Sequence, residues 1–352
     1  MATGKDRAPV GPAPFKDVVG TEVNTALSEQ SPERQNHITE MVSTLPSKMD
    51  VNLGMQVYCY QGFWLPDQWV VAASAMQGRF MPRTDDVIVA SFPKCGTTWL
   101  NALTFTTMAR HMYPPAASNH PLRRLNPHEC LPFLEELFAS GKEVLLDSLP
   151  SPRLMNTHMP FTMLPNTIST ITTGGRGGGG CRIIYICREP KDMLVSFWHY
   201  FQQAVGVTLA ETFETFCNGA MVHGPFWDHI LSYWRASKLR PDNVLFLRYE
   251  ELLHDPASNV RKLAQFVSLP FSDVEEEVGI VDSIIELCSL NNLRNLEVNR
   301  TGYVNLKMNL RRETLFRKGV AGDWVNHMTP EMARRLDDIV KEKLSITGFT
   351  FK

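Results

Sequence analysis

The chain has 352 residues, of which 43% are hydrophobic and 20% are charged, and its formal net charge at pH 7 is -2. This length and composition suit one large globular domain or two modest ones. The near-neutral charge disfavours nucleic-acid binding, and no stretch reaches the roughly 18 apolar residues of a membrane span. No apolar run follows the amino terminus to act as a secretory signal, so we expect a cytosolic protein without a membrane or nucleic-acid partner.

Seven cysteines occur without a Cys-x-x-Cys pair and without the Cys/His spacing of a zinc site. In a reducing compartment such an odd set is typical of free thiols, most of them small core residues. The sequence therefore predicts neither disulfides nor a bound metal.

The first 50 residues are polar and contain prolines, which predicts a mobile amino-terminal segment with a short helix near 37–43. The main domain is expected over residues 51–352. It opens with an aromatic-rich run between Met55 and Trp69, whose rings are taken singly as core residues.

The most informative stretch is 87–103. Its β-branched start, Val87 to Ala90, predicts a buried strand, and the apolar spacing from Thr97 onward predicts a helix. The free amides and the dipole at the start of a helix attract anions, and Lys94 adds a positive charge beside them. The sequence therefore predicts a phosphate or sulfate site in this loop.

The loop does not fit the nucleoside triphosphate P-loop, because its lysine precedes Gly96 and the earlier glycine is missing. For Gly-Thr-Thr alone, a strand-to-helix turn with a chance lysine is the simpler interpretation. The full string SFPKCGTTW, from Ser91 to Trp99, is much more specific. It resembles the 5′-phosphosulfate-binding loop of the cytosolic sulfotransferases, which use 3′-phosphoadenosine 5′-phosphosulfate (PAPS).

A short predicted strand ends in Thr157-His158-Met159-Pro160. A single histidine is usually a surface residue or a hydrogen-bonded core residue. The Thr-His-x-Pro string, however, resembles the segment that carries the family's catalytic histidine at a strand end. The glycine-rich run at 174–180 precedes a strand, whereas dinucleotide-binding loops follow one, so we interpret it as a surface insertion.

A second predicted strand, 181–187, places Arg188 at its carboxyl end, where open α/β sheets bind ligands. The following helix carries Ser196 about two turns in. Taken alone, Arg188 is most simply a salt-bridged arginine, and Ser196 is most simply a surface serine. Together they resemble the family's 3′-phosphate site, and their guanidinium and hydroxyl donors suit a phosphate monoester.

A third predicted strand ends at Tyr249, which the resemblance places against the adenine. Relatives commonly have phenylalanine, stacked on the purine, at the position of Leu290. The string from Phe316 to Trp324 is most simply a solvated basic turn, but its adjacent cations and glycines can also wrap a phosphate. It resembles the family's carboxyl-terminal PAPS loop.

The resemblance covers roughly 58–351 and implies a single α/β domain with a central parallel sheet flanked by helices, in the P-loop-like sulfotransferase fold. It is nearest to the plant flavonol and hormone branch. The implied activity is sulfuryl transfer from PAPS, with 3′,5′-adenosine bisphosphate (PAP) as product, to a hydroxyl of a small acceptor such as a flavonoid or a steroid-like hormone. The implied catalytic residues are His158, Lys94 and Ser196, and the implied cofactor-binding residues are Lys94, Cys95, Gly96, Thr97, Thr98, Trp99, Arg188, Ser196, Tyr249, Cys288, Leu290, Arg317, Lys318 and Gly319.

In the implied mechanism His158 is the general base, Lys94 stabilises charge on the bridging oxygen, and Ser196 restrains the lysine until acceptor binds. Two departures from the animal pattern stand out. Asn156 replaces a lysine, and the animal dimer motif keeps only Thr329. We therefore expect a monomer or a weak dimer.

Two other functions remain open: a P-loop kinase for a small metabolite, and a non-catalytic binder with a sulfotransferase fold. Cys95 carries a separate hypothesis. A thiol beside Lys94 at a helix start is expected to have a lowered pKa and to be reactive, unless it only fills the turn.

Overall fold

The computed structural model describes residues 11–20, 32–170, 181–305 and 308–351. The strands within this part are β1 (Ser47–Asp50), β2 (Met55–Tyr60), β3 (Phe63–Pro66), β4 (Val87–Ser91), β5 (Leu154–Thr157), β6 (Arg182–Cys187), β7 (Val244–Arg248), β8 (Tyr303–Asn305) and β9 (Leu310–Arg311). The helices are α1 (Phe15–Val19), α2 (Pro32–Val42), α3 (Asp67–Arg79), α4 (Thr97–Ala109), α5 (Pro127–Cys130), α6 (Leu134–Ser140), α7 (Asn166–Thr170), α8 (Pro190–Val205), α9 (Leu209–Cys217), α10 (Phe226–Leu239), α11 (Tyr249–His254), α12 (Pro256–Phe266), α13 (Asp273–Glu277), α14 (Ile280–Leu287), α15 (Leu290–Asn295), α16 (Glu297–Arg300) and α17 (Pro330–Leu344). Short 3₁₀ helices lie at Pro121–Arg123, Glu143–Ser148, Phe161–Met163, Arg312–Leu315, Asp323–Asn326 and Ser345–Thr347.

A parallel sheet of four strands, in the order β5-β4-β6-β7, forms the centre of the domain. Every residue of β4 is buried, as expected for a strand that has neighbours on both sides and helices on both faces. The register pairs Ala90 with Thr157 on one side and with Tyr185 on the other. This arrangement confirms the predicted fold class.

Two apolar clusters pack on the two faces of this sheet. Alternate residues of β4 supply both, with Ile88 and Ala90 in one cluster and Val87 and Val89 in the other. Helix α4 packs in the second cluster, and α8 and α10 pack in the first. The rigid sheet fixes the position of every loop that leaves its strands.

The described parts of the first 50 residues lie on the domain, in contrast to the mobile segment predicted there. Phe15 and Val19 of α1 and Val42 of α2 are buried in the first apolar cluster. Strand β1 pairs with β2 in a three-stranded antiparallel sheet, so the expected boundary at residue 50 falls inside a hairpin. A few apolar side chains in a polar stretch are enough to hold these elements on the core.

Three other expectations concern the glycine-rich run, the dimer motif and the absence of a membrane span. The glycine-rich run at 174–180 lies outside the described residues. Of the altered dimer motif, Thr329 caps α17 with its hydroxyl and Val325 is exposed. Where the chain is described, no helix combines the length and apolar character needed to cross a bilayer.

Candidate active site

The four strands of the central sheet all end at one edge, and a predicted site residue follows each of them. The loop containing Lys94 follows β4, and His158 follows β5. Arg188 follows β6, and Tyr249 follows β7. Since the carboxyl ends of parallel strands lie together, residues distant in sequence meet in one place.

A cavity of about 660 Å³ opens at this edge. It is lined by thirteen of the fourteen cofactor-binding residues predicted from the sequence, together with His158. These thirteen are Lys94, Gly96, Thr97, Thr98, Trp99, Arg188, Ser196, Tyr249, Cys288, Leu290, Arg317, Lys318 and Gly319.

Cys95 does not line the cavity, and the reactive-thiol hypothesis is wrong. The Cys95 side chain is fully buried in the first apolar cluster. Burial raises the pKa of this thiol far above its ordinary value, despite an opposing contribution from Arg188. The turn directs the lysine and the cysteine to opposite sides, so the thiol lies in the core and is not at the anion site.

The loop after β4 is shaped for close approach of an anion. Lys94 and Gly96 both have positive φ angles, 68° and 106°. A Cβ atom on Gly96 would lie 2.7 Å from Cδ2 of Tyr249. Helix α4 begins at the next residue, so its first amide groups have no partner within the helix and are available to an anion.

Lys94 has an unusual environment. Its ammonium lies 3.8 Å from the ring centre of Tyr200. Burial lowers the pKa of Lys94 to about 7, and the neighbouring positive charges of Arg188 and Arg317 add to this effect. A half-buried lysine with two arginines nearby is matched to an anionic ligand.

Helix α8 presents three polar residues at intervals of four. Asp192 accepts backbone hydrogen bonds from Gly322 at 2.5 Å and Trp324 at 3.0 Å and so holds the carboxyl-terminal loop. Ser196, one turn later, lines the cavity, and Tyr200 lies beneath Lys94. Tyr200 was missed in the sequence, although its spacing from Ser196 puts both on one helix face.

Arg188 is almost fully buried and its guanidinium is only partly satisfied. Nη2 donates to the carbonyl of Val320 at 3.0 Å, and Nη1 donates to that of Lys94 at 3.4 Å. Nε is buried and has no hydrogen-bond partner within the described chain. The guanidinium also lies 4.4 Å from the ring centre of Tyr249.

The basic loop near the carboxyl terminus is held by Asp323. Arg317 Nη1 and Lys318 Nζ donate to its two carboxylate oxygens at 2.5 and 2.7 Å. Gly319 has a φ angle of +65°, and a Cβ atom there would lie 2.5 Å from Cδ2 of Leu290. The loop therefore lies directly against α15.

An apolar slot adjoins the cationic groups. The ring centres of Tyr249 and Trp99 are 5.8 Å apart in an edge-on arrangement. Cys288 is buried beside them, with its sulfur 3.4 Å from the Thr106 hydroxyl, and Leu290 closes the slot. Flat apolar walls beside phosphate donors fit a purine nucleotide.

The histidine after β5 is oriented by the backbone. Nδ1 of His158 lies 2.8 Å from the carbonyl oxygen of Ser91. A carbonyl only accepts, so Nδ1 carries the proton and Nε2 keeps its lone pair. Burial lowers the pKa of His158 to about 4, with a backbone hydrogen bond opposing and Lys94 adding to the effect. The imidazole is therefore neutral at physiological pH.

The residues around His158 fix its backbone. Its amide donates to Oε1 of Glu135 at 2.6 Å, and its carbonyl accepts from His229 Nε2 at 2.9 Å. Asn156, in place of the animal lysine, donates from Nδ2 to the carbonyl of Leu131 at 3.2 Å. It is fully buried in β5, so its side chain supports the strand.

A second histidine, His128, borders the anion loop. Its Nε2 lies 2.9 Å from the hydroxyl oxygen of Thr98. Burial lowers the pKa of His128 to about 3, with the nearby His158 and Lys94 adding to the effect. The neutral ring therefore orients one hydroxyl of the first turn of α4.

The remaining part of the cavity is largely apolar and aromatic. Its walls include Trp69, Phe133, Tyr200 and Phe201, and the polar residues Glu136 and His223 also line it. Sequence reasoning missed most of these, because they come from separate elements and share no local motif. A flat organic molecule next to His158 fits this space.

The donor set fits a nucleotide that carries a 3′-phosphate and a 5′-phosphosulfate. Arg188 has an unsatisfied buried Nε, and two glycines leave room where a Cβ atom would clash. Four cationic groups, Lys94, Arg188, Arg317 and Lys318, line the same cavity. Across the described ranges, no cluster of three or more histidine, cysteine, aspartate or glutamate residues is arranged to hold a metal ion.

Comparison with known proteins gives one family. The sulfotransferase domain family matches residues 84–348. Cytosolic sulfotransferase 5 of Arabidopsis thaliana is 42% identical over 339 residues, which cover 94% of this chain and 100% of the relative. The cytosolic location expected from the sequence agrees with the names of such relatives.

Solved structures agree with this result. A sulphotransferase from Arabidopsis thaliana superposes with a TM-score of 0.71 at 33% identity, covering 92% of this chain and 99% of that one. A mouse sulfotransferase complexed with PAP superposes with a TM-score of 0.61 at 27% identity. The match covers 82% of this chain and 95% of the mouse chain. The PAP complex confirms the predicted cofactor class. The chain belongs to the plant cytosolic sulfotransferases, enzymes that use PAPS as sulfuryl donor.

Proposed function

We propose that the protein transfers a sulfuryl group from PAPS to a hydroxyl of a small hydroxylated organic acceptor, such as a flavonoid or a steroid-like hormone, with His158 as general base. The observation that carries this proposal is the hydrogen bond from Nδ1 of His158 to the carbonyl of Ser91. It fixes the tautomer in which Nε2 holds a lone pair beside the cavity. The lowered pKa keeps this lone pair free of a proton above about pH 4.

PAPS supplies the activated sulfuryl group when it is bound. Lys94, Gly96, Thr97 and Thr98 are the proposed contacts of its 5′-phosphosulfate. The cationic side chains and the free amides of α4 offset negative charge there. Arg188, Ser196 and the loop at 317–319 are the proposed 3′-phosphate contacts.

The proposed role of Lys94 is to stabilise the negative charge that accumulates on the leaving oxygen. Two features support it: the desolvation that lowers the pKa of its ammonium, and its position over Tyr200. Restraint of the lysine by Ser196 remains a proposal. In the described residues, Lys94 contacts the tyrosine face and has no hydrogen bond to the serine hydroxyl.

The acceptor binds, in this proposal, in the aromatic part of the cavity. Trp69 and Phe133 provide flat apolar walls near the His158 ring, whose centre is 5.2 Å from that of Phe133. A bound acceptor would displace water from the space beside Nε2, which would strengthen the electrostatic interactions made there.

The direct test is transfer of labelled sulfate from PAPS to a panel of phenols, flavonols and hydroxysteroids, without added metal. We expect His158→Ala to lower kcat by about 10²- to 10⁴-fold while PAP affinity stays within twofold. His254→Ala is the matched control, because His254 is exposed at the end of α11. Equal turnover by His158→Ala and wild type would refute the base assignment.

The same assay separates the alternative of a non-catalytic binder. Tight PAP binding by wild type without transfer to any acceptor of the panel favours a binding protein with this fold. Magnesium-dependent turnover of ATP would instead support the kinase alternative.

A further inference from the structure

His223 has a backbone conformation that is rare for a residue with a side chain. It lies between α9 and α10 with a φ angle of 63°, in the left-handed region. Its amide donates to the carbonyl of Trp64 at 2.8 Å, which fixes it against the sheet of β1 to β3. Strained residues of this kind are concentrated at functional sites.

The His223 ring is buried but makes no polar contact. Its relative exposure is 1%, and neither Nδ1 nor Nε2 has a hydrogen-bond partner in the part of the chain that is described. Burial lowers the pKa of His223 well below its ordinary value, so the ring is neutral. A neutral imidazole has one N–H donor and one lone pair, and both are unused here.

The ring borders the place where the proposed base acts. Its centre lies 5.5 Å from that of His158 and 4.8 Å from that of Trp69. All three residues line the cavity. A hydroxyl group placed next to His158 therefore has His223 as a polar neighbour.

We infer that His223 is an acceptor-binding residue whose N–H donates a hydrogen bond to the hydroxyl oxygen that loses its proton to His158. This inference rests on the proposed function. The hydroxyl proton goes to Nε2 of His158, negative charge grows on the acceptor oxygen, and His223 keeps its own proton. The ligand class is an aromatic alcohol or phenol.

This role explains why the native structure keeps both a strained backbone and unsatisfied ring nitrogens at His223. A histidine that served only packing could be replaced by an apolar ring without an unsatisfied N–H group. A donor held ready for charge that develops on the acceptor oxygen is most effective where water is excluded. The buried His223 ring meets this requirement next to the proposed base.

Because the backbone of His223 is left-handed, substitutions can remove its side-chain donor without adding backbone strain. Glycine adopts a positive φ without strain, and asparagine tolerates it better than most residues. His223→Gly therefore removes the donor while relieving strain, and His223→Asn keeps an N–H donor. Ser268→Gly is the control, because Ser268 has a φ angle of 62° and is exposed away from this cavity.

Two measurements are made on each protein: the affinity of its PAP complex for 4-nitrophenol by calorimetry, and kcat/KM for sulfate transfer from PAPS to the same phenol. PAP affinity and melting temperature serve as checks on folding. We expect His223→Gly to lose about tenfold in phenol affinity and at least tenfold in kcat/KM. His223→Asn should stay within threefold of wild type, and millimolar imidazole should partly restore His223→Gly.

The outcomes separate this inference from the proposed function. If wild type transfers sulfate and His223→Gly matches it in both measurements, the inference is overturned and the proposed function stands. If no protein transfers sulfate but His223→Gly still loses phenol affinity and His223→Asn restores it, the proposed function fails and the binding role stands. Equal losses in His223→Gly and His223→Asn would overturn the hydrogen-bond role.

Discussion

The ammonium of Lys94 lies 3.8 Å from the centre of the Tyr200 ring, and both residues line the cavity. Within the described part of the chain this ammonium has neither an ion pair nor a hydrogen bond. The negative face of an aromatic ring attracts a cation without neutralising it. Lys94 is thus held in place while its charge remains available for an anionic ligand.

This environment predicts that PAP affinity falls as pH rises from 7 to 9. In the free protein the pKa of Lys94 is lowered to about 7, mainly by burial, so the neutral amine dominates above that pH. A bound phosphate favours the ammonium and raises its pKa, so binding takes up a proton in this range. Calorimetry in two buffers of different ionisation enthalpy measures that uptake.

Lys94→Met is the comparison for this prediction. It should bind PAP more weakly at pH 7 and lose the pH dependence between 7 and 9. A wild-type affinity that is constant over this range would contradict the assigned environment of Lys94.

Much of the nucleotide site could be predicted from the sequence, because its residues sit in short segments next to buried strands. Val87 to Ala90 and the run at 182–187 are apolar enough to mark parallel strands, and such strands place the following residues at one edge. Lys94 and Arg188 were singled out in this way, whereas His158 and Tyr249 were assigned through the resemblance to the sulfotransferase family.

The acceptor part could not be predicted, since no local pattern joins its residues. Trp69 lies on α3, Glu136 on α6 and His223 on a loop, and only the fold brings them to one cavity. The prediction for Cys95 failed for a related reason. The sequence places this thiol beside Lys94, but the direction of its side chain depends on the turn.

Gly96→Ala should weaken PAP binding by at least tenfold. The added Cβ atom would lie 2.7 Å from Cδ2 of Tyr249 and would displace the ring from the nucleotide slot. Gly206→Ala is a matched control, because its φ angle is also positive, at 71°, and nothing lies within 4 Å of the added atom. Both variants carry a backbone cost of about 1–2 kcal/mol, visible as a lower melting temperature.

Calorimetric PAP titrations of the two variants distinguish the backbone strain of an alanine at positive φ from the contact between the added Cβ atom and Tyr249. If Gly206→Ala weakens PAP binding as much as Gly96→Ala does, the effect comes from general destabilisation and not from Tyr249.

Arg317→Ala should lower PAP affinity by about 10- to 100-fold and leave adenosine 5′-monophosphate affinity within twofold. The reason is that a hydrogen bond between charged groups contributes about 1.5–3 kcal/mol, and only PAP has the 3′-phosphate. Arg334→Ala is the control, since Arg334 pairs with Glu331 on exposed α17. Equal losses for both nucleotides would place Arg317 elsewhere than at the 3′-phosphate.

Glu136 is expected to make turnover of acidic acceptors depend on pH. It lines the cavity with a solvent-exposed side chain, and the described residues offer its carboxyl group neither a hydrogen bond nor an ion pair. Desolvation by the surrounding protein raises the pKa of Glu136 to about 7. The repelling carboxylate therefore accumulates as pH rises above 7, whereas the neutral acid dominates below.

With saturating PAPS, kcat/KM for 4-hydroxybenzoate should fall about tenfold between pH 6 and 8, and that for neutral 4-hydroxybenzyl alcohol should change much less. Glu136→Gln has no titrating group at this position, so it should turn over 4-hydroxybenzoate at pH 8 about tenfold faster than wild type does. Glu331→Gln, on the exposed face of α17, controls for net charge. If 4-hydroxybenzoate turnover in Glu136→Gln keeps the wild-type pH profile, a different group governs that dependence, and the carboxylate does not select among acceptors.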